Sequence, residues 1–331
     1  MRFSTYVEVP KQTFDISHKT RVMMLGSCFA QNIGQKLEEY KFPVDINPFG
    51  ILYNPFSICE ALDYICSDKL FDKDSEEIFF HNEMWHSWLH HSDFSRKECA
   101  EVVVAVNNRL LAAKETFASL NVLMLTFGTA YVYRRVSDNR VVGNCHKVSQ
   151  KEFVRSLLSV EEIVGRMSLV IDKILTRRPS LKILFTISPI RHLRDGAHDN
   201  QISKATLLLA AEELRRRYPD TVCYFPSYEI VLDELRDYRF FADDMVHPSS
   251  VAVEYLWERF AEAYFSPATM RLNEELKEIA RALAHRPFDA NSQAHRTFLS
   301  KIMLKIEDIR KKCPYFDFGK EIAQCNTQLE R

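Results

Sequence analysis

The sequence predicts a three-layer α/β fold, with helices over both faces of a parallel sheet. Three observations lead there. Apolar runs of strand length recur without the alternation of a half-exposed sheet, the mark of strands covered on both faces. Stretches with helical spacing separate these runs. Punctuation is sparse: 8 glycines and 12 prolines in 331 residues leave no low-complexity linker and no internal repeat.

The first run, Val22-Met23-Met24-Leu25, stops at Gly26 and leads into a helix carrying Ile33, Leu37 and Tyr40. An amphipathic helix from about Glu98 to Leu120 precedes the strand in "NVLMLTFG". A capping box, Ser159-x-x-Glu162, opens a helix that runs to about Arg178, ahead of "LKILFTISP". A third helix, from about Asn200 to Arg217, leads into "TVCYFPS". Residues 66 to 96 break this rhythm with "FFHNEMWHSWLHHSDFS", which predicts an inserted aromatic- and histidine-rich loop or hairpin over one end of the sheet. Beyond Pro267 the pattern is purely helical, through Leu272, Leu276, Ile279 and Leu283, then Phe298, Ile302 and Ile306. The chain is therefore divided into an α/β domain over 1–265 and a helical C-terminal extension over 266–331, which packs on that domain or on a partner.

Composition narrows the function classes. Hydrophobic residues at 46% and charged residues at 27% fit an ordinary globular protein. A net charge of -1 gives no general attraction to nucleic acid or anionic membrane, although a local basic pocket remains open. The opening "MRFSTYVEVP" lacks the apolar core of a secretory signal, and no run approaches the roughly 20 apolar residues of a membrane span. The eight cysteines show no CxxC pair and no metal-ligand spacing. They are expected to be reduced and mostly buried, in a cytoplasmic protein. His81, His86, His90 and His91 include an H-x-x-x-H pair without the acidic partner of an H-E-x-x-H site. They are expected to line a substrate cleft; neither metal nor cofactor is expected, and the oligomeric state is open.

Ligands of open parallel sheets sit beyond the carboxyl ends of the strands. Chemistry is therefore sought in "GSCFAQN", "NPFGILYN", "FGTAYVY", "SPIRHLRDG", "FPSYE" and "DDMVHPSS". In the last, Asp244 and His247 stand ahead of a helix opening at Pro248, with Ser249 in its first turn. This is either a capped helix start with a solvated histidine, or an aspartate that fixes the tautomer of a general base. After the first strand, Ser27 and Cys28 offer two nucleophiles side by side.

A nucleophile after the first strand, then a glycine loop, then D-x-x-H ahead of the closing helix, resembles the SGNH or GDSL hydrolase superfamily. "GSCFA" itself, with "NPFG", "NCHK" and "DMVHPS", looks like the bacterial GSCFA-domain family within it, over residues 20 to 265. The resemblance implies a flavodoxin-like sandwich around a five-stranded parallel sheet, and hydrolysis of esters, O-acyl groups on a carbohydrate or cell-envelope precursor. Laying the G-D-S motif on from Gly26 puts Ser27 at the aspartate position and Cys28 at the serine position. It thus implies Cys28 as nucleophile, His247 as base and Asp244 as orienter. Its oxyanion hole implies the backbone N–H groups of Cys28 and Gly50. The third donor, an asparagine elsewhere, is replaced here by Thr129, so Asn47 or Asn144 would supply the amide.

Physical chemistry also points to the thiol. A cysteine at a helix N-terminus, beside an imidazole, is expected to have a lowered pKa, while Ser27 hydrogen-bonds the turn. A buried structural cysteine is the competing reading. Arg191 and His192 bind an anionic substrate group or form a salt-bridged loop. Asn200, Ser203 and Lys204 read as a capped helix start, and His146 competes with His247 as base. Three functions follow: an ester hydrolase working through an acyl-cysteine; an acyltransferase using a thioester such as coenzyme A, whose phosphates Arg191, Arg194 and Lys204 would meet; and a scaffold that binds glycans or proteins without catalysis.

Overall fold

In the computed structural model, which describes residues 5–11, 14–285, 287–289 and 292–329, the apolar runs become neighbouring strands. The chain opens with β1 (Val22–Gly26), α1 (Cys28–Glu39), β2 (Val44–Ile46), α2 (Pro55–Ile65), β3 (Ile78–His81) and β4 (Met84–Ser87). It continues with α3 (Cys99–Ala118), β5 (Val122–Phe127), β6 (Tyr131–Arg135), β7 (Val141–Val142), β8 (Phe153–Leu157) and α4 (Val160–Arg177). Next come β9 (Lys182–Ile187), α5 (Gly196–Arg217), β10 (Val222–Phe225) and the single turn α6 (Ser227–Glu229). The chain closes with α7 (Ser250–Tyr264), α8 (Pro267–Ala284), α9 (Gln293–Lys312) and α10 (Gly319–Leu329).

The central sheet runs β10-β9-β5-β1-β2 with every pairing parallel. Counted along the chain, this is the 2-1-3-4-5 order of flavodoxin-like sheets, which reverses direction beside the first strand and opens a crevice there. Residues of β1 alternate between two cores, as strand geometry requires. Met23 and Leu25 join Ile58, Val106, Ile171 and Leu207 under α2 to α5. Val22 and Met24 join Ile33, Leu256 and Phe260 under α1 and α7. The second core continues into the C-terminal helices through Leu276, Ile279, Ile302 and Ile306, so these helices dock on the α1/α7 face. Among the described residues, no helix is long and apolar enough to cross a membrane.

The stretch that breaks the α/β rhythm forms an antiparallel hairpin, β3 with β4. Phe79 stacks on Trp88 with ring centroids 3.5 Å apart. Its histidines mostly do not line a cleft. His86 is buried with Nδ1 2.7 Å from Ser95 Oγ, and His90 is buried with Nδ1 2.8 Å from Ser87 Oγ. Their rings fill the space an aromatic hairpin leaves. His91, next to the cleft, is the exception.

Two features lie outside the sequence reading. A second, three-stranded antiparallel sheet, β7-β6-β8, flanks the main one. Helix α5 begins at Gly196, so Asn200, Ser203 and Lys204 lie inside the helix and are all buried. The capped-start reading of these three is corrected: they form a polar face at helical spacing, not a terminus.

Candidate active site

The turn between β1 and α1 is built around a glycine that nothing can replace. Gly26 has φ +147°, and a Cβ there would lie 2.2 Å from the Thr126 carbonyl oxygen on β5. Ser27 follows in an extended conformation as the N-cap of α1, its Oγ accepting from the Phe29 N–H at 3.3 Å. It is 1% exposed. Cys28 is the first helical residue and only half-buried. Asn47 braces this elbow: its Oδ1 accepts the Gly26 N–H at 3.0 Å, and its Nδ2 donates to Gln31 Oε1 at 3.2 Å.

The loop before α7 brings up the other partners. A bridge between Phe241 and Pro248, and the Ala242 N–H donated to the His247 carbonyl at 2.7 Å, close it into a tight turn. Within it, Asp244 Oδ1 accepts the backbone N–H groups of Val246 and His247, both at 2.9 Å. Its Oδ2 lies 2.5 Å from His247 Nδ1. The opposite ring nitrogen, Nε2, lies 3.6 Å from Cys28 Sγ. A carboxylate on Nδ1 assigns that nitrogen its proton and leaves Nε2 able to accept one from the thiol. Ser249 caps α7 by accepting the Ala252 N–H, so the helix starts just after the turn and not at Pro248.

The electrostatics depart from expectation. Backbone and side-chain hydrogen bonds from His247, with the Val246 N–H, hold the Asp244 carboxyl at about 2. Burial pushes the Cys28 thiol above its ordinary value. The N–H groups of Cys28 and Phe29 and the charge of Lys204 pull it back only in part, and Asp244 pushes it further up. The expected lowering at a helix N-terminus is thus outweighed by desolvation. A protonated thiol rests against the Nε2 face of His247, and the proton moves when attack occurs.

These groups open onto a cleft of about 630 Å³. Its walls include Tyr53, Thr129, Tyr131, Tyr133, Asn144, Arg155, Arg191, His192 and Arg194. Arg155 stacks 3.6 Å over the Tyr131 ring and is ion-paired with Asp195. The sequence pattern alone does not mark the three tyrosines and Arg155 as site residues. The alternation Tyr131-x-Tyr133 on β6 was the available signal, since alternate strand residues share a face.

Several proposed site residues have other occupations. The Gly50 N–H donates to the Asn47 carbonyl at 2.7 Å, so it is no oxyanion donor. Gly50 is needed because its φ is +75° and a Cβ would meet His91 Cβ at 2.2 Å. The Asn47 amide is engaged in bracing the elbow. Asn144 borders the cleft, but its Oδ1 accepts the His146 N–H and its Nδ2 donates to Ser92 Oγ. Thr129 donates its N–H to the Tyr53 carbonyl and shares its hydroxyl with Ser203. His146 is buried away from the cleft, its Nε2 2.8 Å from the Ser87 carbonyl, and burial pushes it down to about 4. It does not compete as base. Lys204 is 1% exposed and cannot meet a carrier phosphate. His192 does face the cleft, edge-on to Tyr53, and burial with neighbouring Lys204, Arg155 and His247 pushes it down to about 4. It is a neutral imidazole at pH 7, not an anion-binding cation.

A model of the GSCFA family matches residues 21–260, and a model of the GSCFA domain protein C-terminal domain matches residues 276–331. No curated protein matches. One solved structure shares 15% identity over 75% of this chain and 97% of its own, with a TM-score of 0.37. A carbohydrate esterase family 3 from Talaromyces cellulolyticus shares 10% identity over 77% of this chain and 99% of its own, with a TM-score of 0.32. At such TM-scores neither structure carries an argument. The family match spans Cys28, Asp244 and His247 and most of the molecule: the chain belongs to the GSCFA family.

Proposed function

We propose that this protein is an acyl-handling enzyme that works through Cys28, in the manner of SGNH hydrolases but with sulfur as the attacking atom. The observation that carries the reading is the chain from Asp244 Oδ2 through His247 to Cys28 Sγ, at 2.5 and 3.6 Å. His247 Nε2 takes the thiol proton as Sγ attacks the ester carbonyl. The carbon–oxygen bond breaks, the leaving alcohol receives that proton, and the acyl group stays on sulfur as a thioester. Water, deprotonated by the same nitrogen, attacks the thioester carbonyl. The C–S bond breaks, and acid and free thiol are restored. As first residue of α1, Cys28 keeps an N–H without an intrahelical partner, and neutral His192 is the side chain suited to join it as oxyanion donor.

An O-acylated carbohydrate or cell-envelope precursor is the proposed substrate. The tyrosine walls bring aromatic faces and hydroxyls to the cleft, which suits a polyhydroxylated ligand. The SGNH assignment is supported by the strand order, the nucleophile after β1 and the base ahead of α7.

The lip of the cleft favours one second reading. Arg191 and Arg194 are exposed there, and could hold the phosphates of a carrier such as coenzyme A, with acyl transfer to a polysaccharide precursor replacing hydrolysis. Coenzyme A would then be a co-substrate. Purified protein assayed with p-nitrophenyl acetate, and with acetyl-coenzyme A in the presence and absence of sugar acceptors, separates these readings. Release that needs no acceptor supports hydrolysis. Loss of turnover in Cys28→Ala and His247→Ala, with retention in Ser27→Ala, is expected. Turnover in neither assay would favour the non-catalytic scaffold.

A further inference from the structure

Among the described residues, one buried charge near the cleft has no carboxylate partner. Lys204 is the ninth residue of α5, 1% exposed. Its Nζ donates to the Gly128 carbonyl and to the Ser188 carbonyl, each at 2.7 Å. No ion pair reaches it among the described residues. An isolated ammonium removed from water is unfavourable by several kcal/mol unless something charged repays it, and two neutral carbonyls do so only in part.

Its neighbours on the same helical face make a pattern. Asn200 Oδ1 accepts the His192 N–H at 3.0 Å, and Ser203 Oγ accepts the Ala130 N–H at 2.8 Å. Asn200, Ser203 and Lys204 fall at i, i+3 and i+4, on one face of α5. That face holds two loops together: the one after β5, with Gly128 and Thr129, and the one after β9, with Ser188 and His192. Both loops border the Cys28 cleft.

We propose that Lys204 is a positioning residue for the Cys28 centre: it clamps the β5 and β9 loops into one wall and supplies the buried positive charge behind the sulfur. The role rests on Cys28 being the nucleophile. The titratable groups facing this region are Cys28 from α1, Tyr228 from α6 with its ring 5.6 Å from Nζ, and His192 from the β9 loop. Tyr53, Asp244 and His247 stand around Cys28 itself. Desolvation pushes the ammonium down to about 7, and Cys28 opposes that shift. When His247 removes the thiol proton at or below neutral pH, the anion forms beside a cation already in place. As pH rises through 7, Lys204 loses its proton and the anion loses that support.

The test is the pH profile of kcat for p-nitrophenyl acetate in wild type, K204M and K204R. Wild type is expected to lose activity on the alkaline side with a midpoint near 7. K204R keeps the charge and does not titrate, so its falling limb moves beyond pH 9. K204M loses the limb and falls 10-fold or more in kcat at pH 6.5, with KM changing less than 3-fold. Backbone hydrogen exchange in K204M should rise at Ala130 and His192. A falling limb at one midpoint in all three proteins overturns the proposal. Should both variants fail to fold, the Lys204 Cε resonance in wild type decides: its midpoint must match the limb, and a mismatch overturns it. Activity retained by Cys28→Ala would instead remove the nucleophile assignment, so the two failures are distinct.

Discussion

Asp244 grips His247 twice, with one carboxylate oxygen on the ring Nδ1 at 2.5 Å and the other on its backbone N–H at 2.9 Å. The ring therefore cannot rotate without breaking a turn as well as a side-chain bond. Asp244→Asn should keep the turn, since an amide oxygen still accepts, but it places a donor or a neutral acceptor where the carboxylate held the Nδ1 proton. We expect kcat to fall by about 10²–10⁴-fold, with little change in thermal midpoint. The backbone N–H of His247 is the largest cause holding this carboxyl at about 2. Asp244 is therefore ionised throughout the working range, and its contribution to stability is complete above about pH 4. That contribution is lost as pH falls through 2, so no loss of activity between pH 4 and 7 belongs to it. A 13C titration of the Asp244 carboxyl checks the midpoint.

Cys28 should behave as a thiol at rest. Burial raises it above an ordinary cysteine, so its alkylation by iodoacetamide should be slower than that of free cysteine at pH 7 and should still be climbing above pH 9. It should nevertheless precede Cys59 and Cys66, which are fully buried and pushed by desolvation to about 12 and about 11. Mass spectrometry of peptides across a pH series reads this order. Full modification of Cys28 at pH 6 would mean a preformed thiolate and contradict the proton-on-attack scheme.

What the sequence could show was set by how local each cause is. Strands β1, β5 and β9 were legible because burial on both faces leaves an unbroken apolar run. Strand β2 spans three half-buried residues and leaves no such run. In β8, Val154 is 57% exposed, so the flanking sheet carries no burial pattern either. The Asp244–His247 spacing was legible because a four-residue turn is written in neighbouring positions. The raised thiol was not, because its cause is the packing of distant segments over residue 28. The glycine motif implies an oxyanion donor at Gly50, whose N–H instead closes its own loop. A glycine motif says that the backbone is unusual, not where its N–H points. The sequence pattern places Lys204 one helical turn too near a terminus, because the helix start at Gly196 carries no side-chain cap.

The elbow gives a stability prediction. Asn47→Ala removes the acceptor for a buried Gly26 N–H and leaves alanine at φ 43°. The lost bond is worth about 1–3 kcal/mol, and the left-handed backbone adds about 1–2 kcal/mol. Asn47→Asp retains both the acceptor and the tolerance for that φ, and should recover most of the loss. Gly26→Ala is harsher, because its Cβ would overlap a carbonyl on the central strand β5; we expect little soluble protein. Urea midpoints for the two Asn47 variants, with unchanged slope, measure the difference.

The last prediction concerns what holds the α7 end of the domain. Glu234 and Arg259 form an ion pair at 3.0 Å with both side chains 4% exposed. Tyr255 donates to the same carboxylate at 2.5 Å, and Val7 is clasped from both sides, its N–H on Glu234 Oε1 and its carbonyl on Arg259 Nη2. Removing Glu234 leaves the buried Arg259 with only the exposed Glu262 carboxylate, 3.4 Å from its Nε, as a counter-charge, and takes the acceptor from Tyr255 and Val7. Glu234→Ala should therefore destabilise by about 3–5 kcal/mol. Replacing both with apolar residues, Glu234→Leu with Arg259→Met, leaves no orphaned charge and should cost less than the single change. The double variant still leaves Val7 without its side-chain partners, so amide exchange at Val7 should rise in both proteins while the urea midpoint recovers only in the double. A double variant no more stable than Glu234→Ala would mean that the pair stabilises through its hydrogen bonds to the N-terminal segment, rather than by neutralising a buried charge.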